Sequence, residues 1–363
     1  MPSLQTISSR KNGKPKVPKS VVNPKELRLD QNENTGGCSP RVLARLRNLL
    51  GQEVASYPER SVYEPLIASH LRMKPEEVML TNGADEGIHL LCELYLNPKL
   101  DAILPVPSFG MYRHYAMATD ANIVEVPLNN DFSFPTREVL AKITSKTGLI
   151  FIGNPNNPTG TTVAAHDIYR ILETAAQVAP KSAVLVDEAY FEFYGQTLLP
   201  ELHRFPNLHI TRTFSKAYGM AGLRVGVLVA NAEAMRRLQR ISSPFSVNTI
   251  ALTILPIALA DQGFVRAYIA NVKRQRQVLQ NALERIGLRY WPSQANFLLV
   301  EIGEERAVFL KEMAKEGIFL RDRGSDLLCG GCVRITIGNK EEMERVIEKL
   351  PKVLKRIGWR REA

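Results

Sequence analysis

At 363 residues, with 45% hydrophobic and 23% charged side chains, the chain has the make-up of a soluble globular protein of about two domains. Its longest apolar run in the C-terminal half, 254–260, contains a proline and falls far short of the ~18 residues a membrane helix needs, so a spanning segment is excluded. The net charge of +10 sits mostly at the ends, +5 over residues 1–30 and +4 over 351–363, so the near-neutral body argues against a nucleic-acid groove.

Residues 1–28 are rich in Lys, Pro and Ser without periodicity, and 1–30 read as an N-terminal arm or a disordered leader. The arm has no apolar signal core, and its acid-free stretch up to Glu26 is a weak signal for a transit peptide. Leu27 to Asn34 then runs into Gly36-Gly37. Ser39 caps a first helix with Pro40 at its first position, and Tyr57-Pro58 breaks the chain before a second helix, 62–71.

From there the pattern alternates. Apolar, β-branched runs at 78–81, 102–106, 123–126, 149–153, 183–186, 209–213 and 225–230 read as strands. Helical periodicity fills 85–96, 111–118, 164–178 and 232–241. This is an α/β fold: a mostly parallel seven-stranded sheet covered by helices. After Ser242-Ser243-Pro244 the character changes. Helices over 248–259, 264–286 and 341–354 and strands over 297–301, 318–321 and 333–337 make a smaller α+β domain. The expected division is an arm (1–30), a large domain (31–260) whose first part packs with the small one, and a small domain (261–363).

The four cysteines are Cys38, Cys92, Cys329 and Cys332. Cys329-Gly-Gly-Cys332 lacks a second pair and any nearby histidine, so it reads as a glycine turn entering a strand and no metal is expected.

The chemistry gathers around 211–226, where a β-rich run ends in Thr213, Ser215 and Lys216 and small residues lead to Arg224, eight positions on. One amine, two hydroxyls and one guanidinium thus lie at a strand end, where open α/β sheets bind ligands. A lysine there can form a Schiff base with an aldehyde, while the hydroxyls and the arginine suit a phosphate. Further motifs also fall at strand ends. Thr81-Asn82-Gly83-Ala84-Asp85 opens a helix whose free N–H groups favour an anion, or is simply an Asn-Gly turn. Phe109 is placed to stack on a planar ring, although an aromatic there is more often core. In Asn154-Pro-Asn-Asn-Pro-Thr-Gly160 two prolines fix the asparagine amides. Asp187, after an apolar strand, needs a positive partner if buried, and Tyr190 follows three residues later. Arg334 and Arg321 lie in strands of the small domain, where a surface charge is the plainer local reading.

Taken together and in this order, from about Asn32 to the end, the motifs resemble the fold-type I pyridoxal-phosphate aminotransferases of class I/II. Asn32-Glu33-Asn34, Tyr57-Pro58, the Asn154–Gly160 run and Arg212-Thr-Phe-Ser-Lys-Ala resemble the histidinol-phosphate branch. The resemblance implies that Lys216 holds pyridoxal 5'-phosphate and acts as the base, Asp187 pairs with the pyridinium, and Tyr190 and Asn157 bond the ring oxygen. Phe109 would stack on the ring, and Ala84, Asp85, Thr213, Ser215 and Arg224 would hold the phosphate. Tyr57 would reach the partner subunit's cofactor, which implies a homodimer. Arg334 with Asn32 would take the substrate's α-carboxylate, and Arg321 its distal phosphate. The expected protein is a cytoplasmic transaminase with a small-molecule amino donor and a 2-oxo acid, without nucleic-acid or membrane partners.

One feature departs from that pattern. The branch adds an arm tyrosine to the distal phosphate site, and here no tyrosine precedes Tyr57; the arm offers Lys14, Lys16 and Lys19. Histidinol phosphate with 2-oxoglutarate ranks first, aromatic amino acids second and a phosphothreonine-type decarboxylase third. A non-enzymatic regulatory module with nucleic-acid-binding tails ranks low.

Overall fold

The computed structural model describes residues 26–360. Lys14, Lys16 and Lys19 lie outside the described residues. Twelve strands form two sheets: β1 (Leu27–Leu29), β2 (Val78–Asn82), β3 (Asp101–Val106), β4 (Asn122–Pro127), β5 (Thr147–Gly153), β6 (Ala183–Asp187), β7 (Leu208–Thr213), β8 (Val225–Val229), β9 (Tyr290–Trp291), β10 (Phe297–Glu301), β11 (Ile318–Asp322) and β12 (Cys332–Thr336).

The seven-stranded sheet has the order β2-β8-β7-β6-β5-β3-β4. All of its pairings are parallel except those of β8 with β7 and β2. Because helices cover both faces, the central strands are apolar on both sides. In β6 all five residues are buried, and so are the first six of β5. Short crossovers bring the carboxyl ends of β5, β6 and β7 to one edge, with Gly153 opposite Asp187 and Asp187 opposite Thr211. The single antiparallel strand, β8, begins at that same edge, with Thr213 opposite Gly226, and runs away from it.

The second sheet has the order β1-β11-β12-β10-β9. Its first strand revises the sequence reading of the arm. Leu27–Leu29 lies inside the 1–30 segment, yet it pairs in parallel with Ile318–Leu320 nearly three hundred residues away. Leu27 and Leu29 are buried and Arg28 is exposed, a two-residue alternation too short to read as a strand locally. Burying the two leucines ties the chain's start to the small sheet, and Asp30–Asn32 follow from there into the cleft.

Short helices at Gly51–Ala55, Thr136–Lys142 and Arg306–Lys315 join those read from periodicity. The long helix Gln262–Ile286 follows Thr249–Ala260 across a 77° bend. No single helix among the described residues is long and apolar enough to cross a membrane.

Candidate active site

The site lies at the carboxyl edge of the large sheet, under the small sheet. Asp187, the last residue of β6, is buried. Its carboxylate accepts from the Tyr112 hydroxyl at 2.6 Å, the Thr211 hydroxyl at 3.1 Å and the Ala189 amide at 3.1 Å. None of these donors is a cation, and burial raises the carboxyl pKa against their combined pull. A buried carboxylate held only by neutral groups is costly, and its chemistry calls for a cation beside it.

Its neighbour Glu188 turns the other way. The Arg212 Nε and Nη2 donate to one Glu188 oxygen at 2.9 and 2.7 Å, and the guanidinium lies 3.6 Å from the Phe191 ring centroid. This ion pair locks the end of β6 to β7 and leaves Thr211 and Thr213 on the site side.

Lys216 is half-buried at the cleft floor, its Nζ donating to the Gln31 carbonyl at 3.1 Å. Enclosure by protein and, second, the Arg334 charge lower its pKa to about 8. An amine poised there is neutral far more often than a surface lysine.

Behind it is a hollow suited to an anion. The helix Gly83–Tyr95 begins against β8, and Arg224 Nη2 reaches the Asp85 carboxylate at 2.7 Å. A Cβ on Gly226 would stand 2.4 Å from the Ala84 amide nitrogen, and one on Gly83 would stand 2.3 Å from the Arg224 Nη2. Both positions therefore exclude side chains, Gly83 also by its φ of +74°. The Thr213 hydroxyl donates to the Ser215 hydroxyl at 2.9 Å and accepts from the Ser215 amide at 3.1 Å. Helix-start amides, two hydroxyls and a guanidinium converge here.

The Asn-Pro loop divides its labour. Asn154 closes the loop, its Oδ1 accepting from the Val163 amide at 3.1 Å, and Asn156 donates to the Pro107 carbonyl at 3.0 Å and to Thr159 at 2.9 Å. Only Asn157 projects toward the small sheet, where its Oδ1 accepts from Arg334 Nη1 at 2.5 Å. Arg334 departs from the plain surface-charge reading. β12 is an inner strand, and the side chain is buried, donating also to the Asp30 carbonyl at 2.6 Å. Its Nε has no hydrogen-bond partner among the described residues, and burial lowers its pKa to about 10. Asn32, itself buried at a φ of +56°, donates to the Tyr190 hydroxyl at 2.9 Å and is gripped by Thr336 and Asn296.

Phe109 meets Tyr112 edge-on at 5.6 Å, at the start of the helix Gly110–Met117. Arg321 is exposed and lies directly opposite Arg334 in the β11–β12 ladder. Tyr57 is 83% exposed with its ring on Phe245, and among the described residues no hydrogen bond joins it to the residues above. Tyr112, Thr211, Gln31 and Thr336 were not foreseen as participants. Tyr112 carried no local signal: Phe109 stands before the helix Gly110–Met117 in extended backbone, and only the fold brings the Tyr112 hydroxyl to Asp187. Cys329–Cys332 forms the turn that enters β12.

These residues fit pyridoxal phosphate: a buried carboxylate lacking a cation, a lysine of lowered pKa, and helix-start amides with two hydroxyls and a guanidinium to suit a phosphate. Comparison with known proteins agrees. The family profile described as aminotransferase class I and II matches residues 24–350. A histidinol-phosphate aminotransferase from Geobacillus sp. (strain WCH70) is 36% identical over 336 residues, covering 91% of this chain and 90% of that one. Histidinol-phosphate aminotransferase from Sinorhizobium meliloti, solved in complex with pyridoxal-5'-phosphate, superposes with a TM-score of 0.83 at 24% identity over 97% of this chain and all of that one. L-threonine-O-3-phosphate decarboxylase from Porphyromonas gingivalis gives 0.78 at 23% over 91% and 99%. At such identities the two structures speak for the fold.

Proposed function

Since the chain belongs to the class I and II aminotransferases, which work with pyridoxal phosphate, we propose that it moves an amino group from L-histidinol phosphate to 2-oxoglutarate. The observation that carries the site assignment is Asp187, a buried carboxylate that only neutral groups satisfy, at the same sheet edge as an amine of lowered pKa.

Asp187 would hold the cofactor's ring nitrogen and keep its proton in place. Tyr190 and Asn157 would bond the ring oxygen, and Phe109 would cover a ring face. Ala84 and Asp85 at the helix start, with Thr213, Ser215 and Arg224, would bind the phosphate. When bound, the cofactor supplies a protonated ring that draws electron density from the substrate α-carbon.

The chain's own residues do the remainder. Lys216 would hold the cofactor by its aldehyde end. Its freed amine, with a pKa of about 8, is then matched to moving the α-proton near neutrality. Arg334 would grip the α-carboxylate of glutamate or 2-oxoglutarate through its planar fork, with Asn32 oriented beside it, whereas histidinol phosphate carries no carboxylate and Arg321 would face its phosphate. Enclosure by the small sheet keeps water from competing for these bonds.

Tyr57, exposed in this chain, suits a role in the partner's site, so the working unit is a cytoplasmic homodimer. Residues 31–260 would form the large domain and 261–363 the small one, joined by β1. The test is the half-reaction that bleaches the cofactor's absorbance, run against histidinol phosphate, phenylalanine, tyrosine and phosphothreonine. Histidinol phosphate should react with the highest kcat/KM. Release of CO₂ from phosphothreonine without a keto acid would instead make the protein a decarboxylase.

A further inference from the structure

The two arginines ascribed to substrate are not alone on their side of the small sheet. Arg321 and Arg334 are opposite one another on antiparallel strands, and such residues share a face. Side chains alternate along a strand, so Asp322 points to the other face, where its carboxylate meets Arg306 Nε at 2.8 Å. Arg323 returns to the face of Arg321 and Arg334. The ladder carries it there, since its amide donates to the Cys332 carbonyl at 3.1 Å, one step past the end of β11.

The Arg323 side chain is only 13% exposed and pairs with Asp326, while its Nε is buried with no hydrogen-bond partner among the described residues. It stands on the face of the small sheet that carries Arg334, whose guanidinium meets Asn157 of the large sheet across the cleft. Asp326 in turn feels Arg323, Arg321 and Arg334. Arg321, Arg323 and Arg334 therefore share one face of the small sheet, where Asp326 pairs with Arg323. A largely buried guanidinium, Arg323, beside an exposed one, Arg321, suits a dianion, and the planar fork suits phosphate oxygens.

We propose that Arg323 is a specificity-determining residue that binds the donor's phosphate together with Arg321, in a sequence with no tyrosine before Tyr57. Asp326 keeps the fork extended along the cleft wall instead of free in solvent. The inference rests on a phosphate-bearing donor, as proposed above, and it accounts for how this chain recognises one.

The experiment compares wild-type holoenzyme with Arg323→Ala and Arg323→Lys. Steady-state turnover is measured with L-histidinol phosphate and with L-phenylalanine. Calorimetric binding of 3-(imidazol-4-yl)propyl phosphate, the donor without its amine, gives a readout free of turnover, and melting temperature checks folding. Arg323→Ala should raise KM for histidinol phosphate and Kd for the phosphate probe about tenfold or more. Its kcat, and its kcat/KM for phenylalanine, should stay within about threefold. Arg323→Lys, which keeps the charge and the Asp326 pair, should recover part of the loss. Wild-type KM and Kd in Arg323→Ala would overturn the inference, as would an equal loss for both donors at an unchanged melting temperature. Should Arg323→Ala fail to fold, Arg323→Lys decides by the same two constants. If the wild type does not prefer histidinol phosphate over phenylalanine, the donor assignment falls. The probe then still decides for Arg323, by whether its binding weakens in the variant.

Discussion

The Arg334 guanidinium donates to the Asn157 carboxamide at 2.5 Å, so a strand of the small sheet is bonded directly to a loop of the large one. Each residue thereby fixes the other's orientation across the cleft. Arg334→Lys keeps a positive charge but loses the fork and one of its two anchors. KM for glutamate and 2-oxoglutarate, the substrates that carry an α-carboxylate, should rise about 10- to 100-fold with a smaller change in kcat. A KM within twofold of wild type would remove Arg334 from the carboxylate site.

Asp187 makes a prediction in which stability and activity move in opposite directions. Its folded pKa is raised, so its favourable contribution is full below the unfolded carboxylate value and is lost as pH rises through the folded one. Without cofactor, Asp187→Asn should therefore melt at or above the wild type at pH 7, the gap closing toward pH 4. With cofactor, the same variant should lose about 10²-fold or more in kcat, because the ring-nitrogen proton loses its partner. Scanning calorimetry with and without pyridoxal phosphate, beside turnover, checks both halves.

Lys216, with a pKa of about 8, should capture the cofactor at a rate rising with pH to about 8 and level above it. Arg334 is the largest charge contribution to that lowering, so Arg334→Ala should move the plateau to higher pH. Borohydride trapping on cofactor-free protein reads the rate. Lys216→Ala should trap none, and covalent label in that variant would place the reactive lysine elsewhere.

Much of this was legible in the sequence because the large domain is local in kind. Its strands are continuous apolar runs, and its site residues follow strand ends at short spacings, so Lys216, Asp187 and Asn157 could be singled out from their immediate neighbours. What escaped is what depends on distant pairing. Leu27–Leu29 reveals itself as a strand only against Ile318–Leu320, and Arg334 looks like a surface charge until β10 and β11 flank it. Tyr112 shows its part only once the sheet places Asp187 beside it.

Gly226 tests the anion hollow without touching a charged group. Gly226→Ala would put a methyl 2.4 Å from the Ala84 amide and force the helix start away from β8. The expected cost is about 1–3 kcal/mol of stability, together with weaker cofactor binding. Equilibrium dialysis of pyridoxal phosphate against the variant gives the second number, and unchanged affinity would mean the hollow is not the phosphate site.

Tyr57, exposed and resting on Phe245, can be assigned to its own or its partner's site by mixing inactive variants. Lys216→Ala and Tyr57→Ala proteins, unfolded and refolded together, should regain about one quarter of wild-type activity if each site borrows its tyrosine across a two-fold axis. Activity no higher than that of the two parents would keep Tyr57 within its own subunit.

The reversed direction of β8 has a consequence for how the chain tolerates change. Because β7 runs toward the cleft and β8 away from it, the connection between them begins and ends at the cleft. Lysine, both hydroxyls and Arg224 thus belong to one short hairpin-like segment anchored on inner strands at either end. Such a segment can be exchanged between related proteins as a single cassette, whereas added residues between Lys216 and Arg224 would bulge into the cleft itself. Length there is constrained by geometry on both sides, while the surface connections at the far edge of the sheet are free to drift.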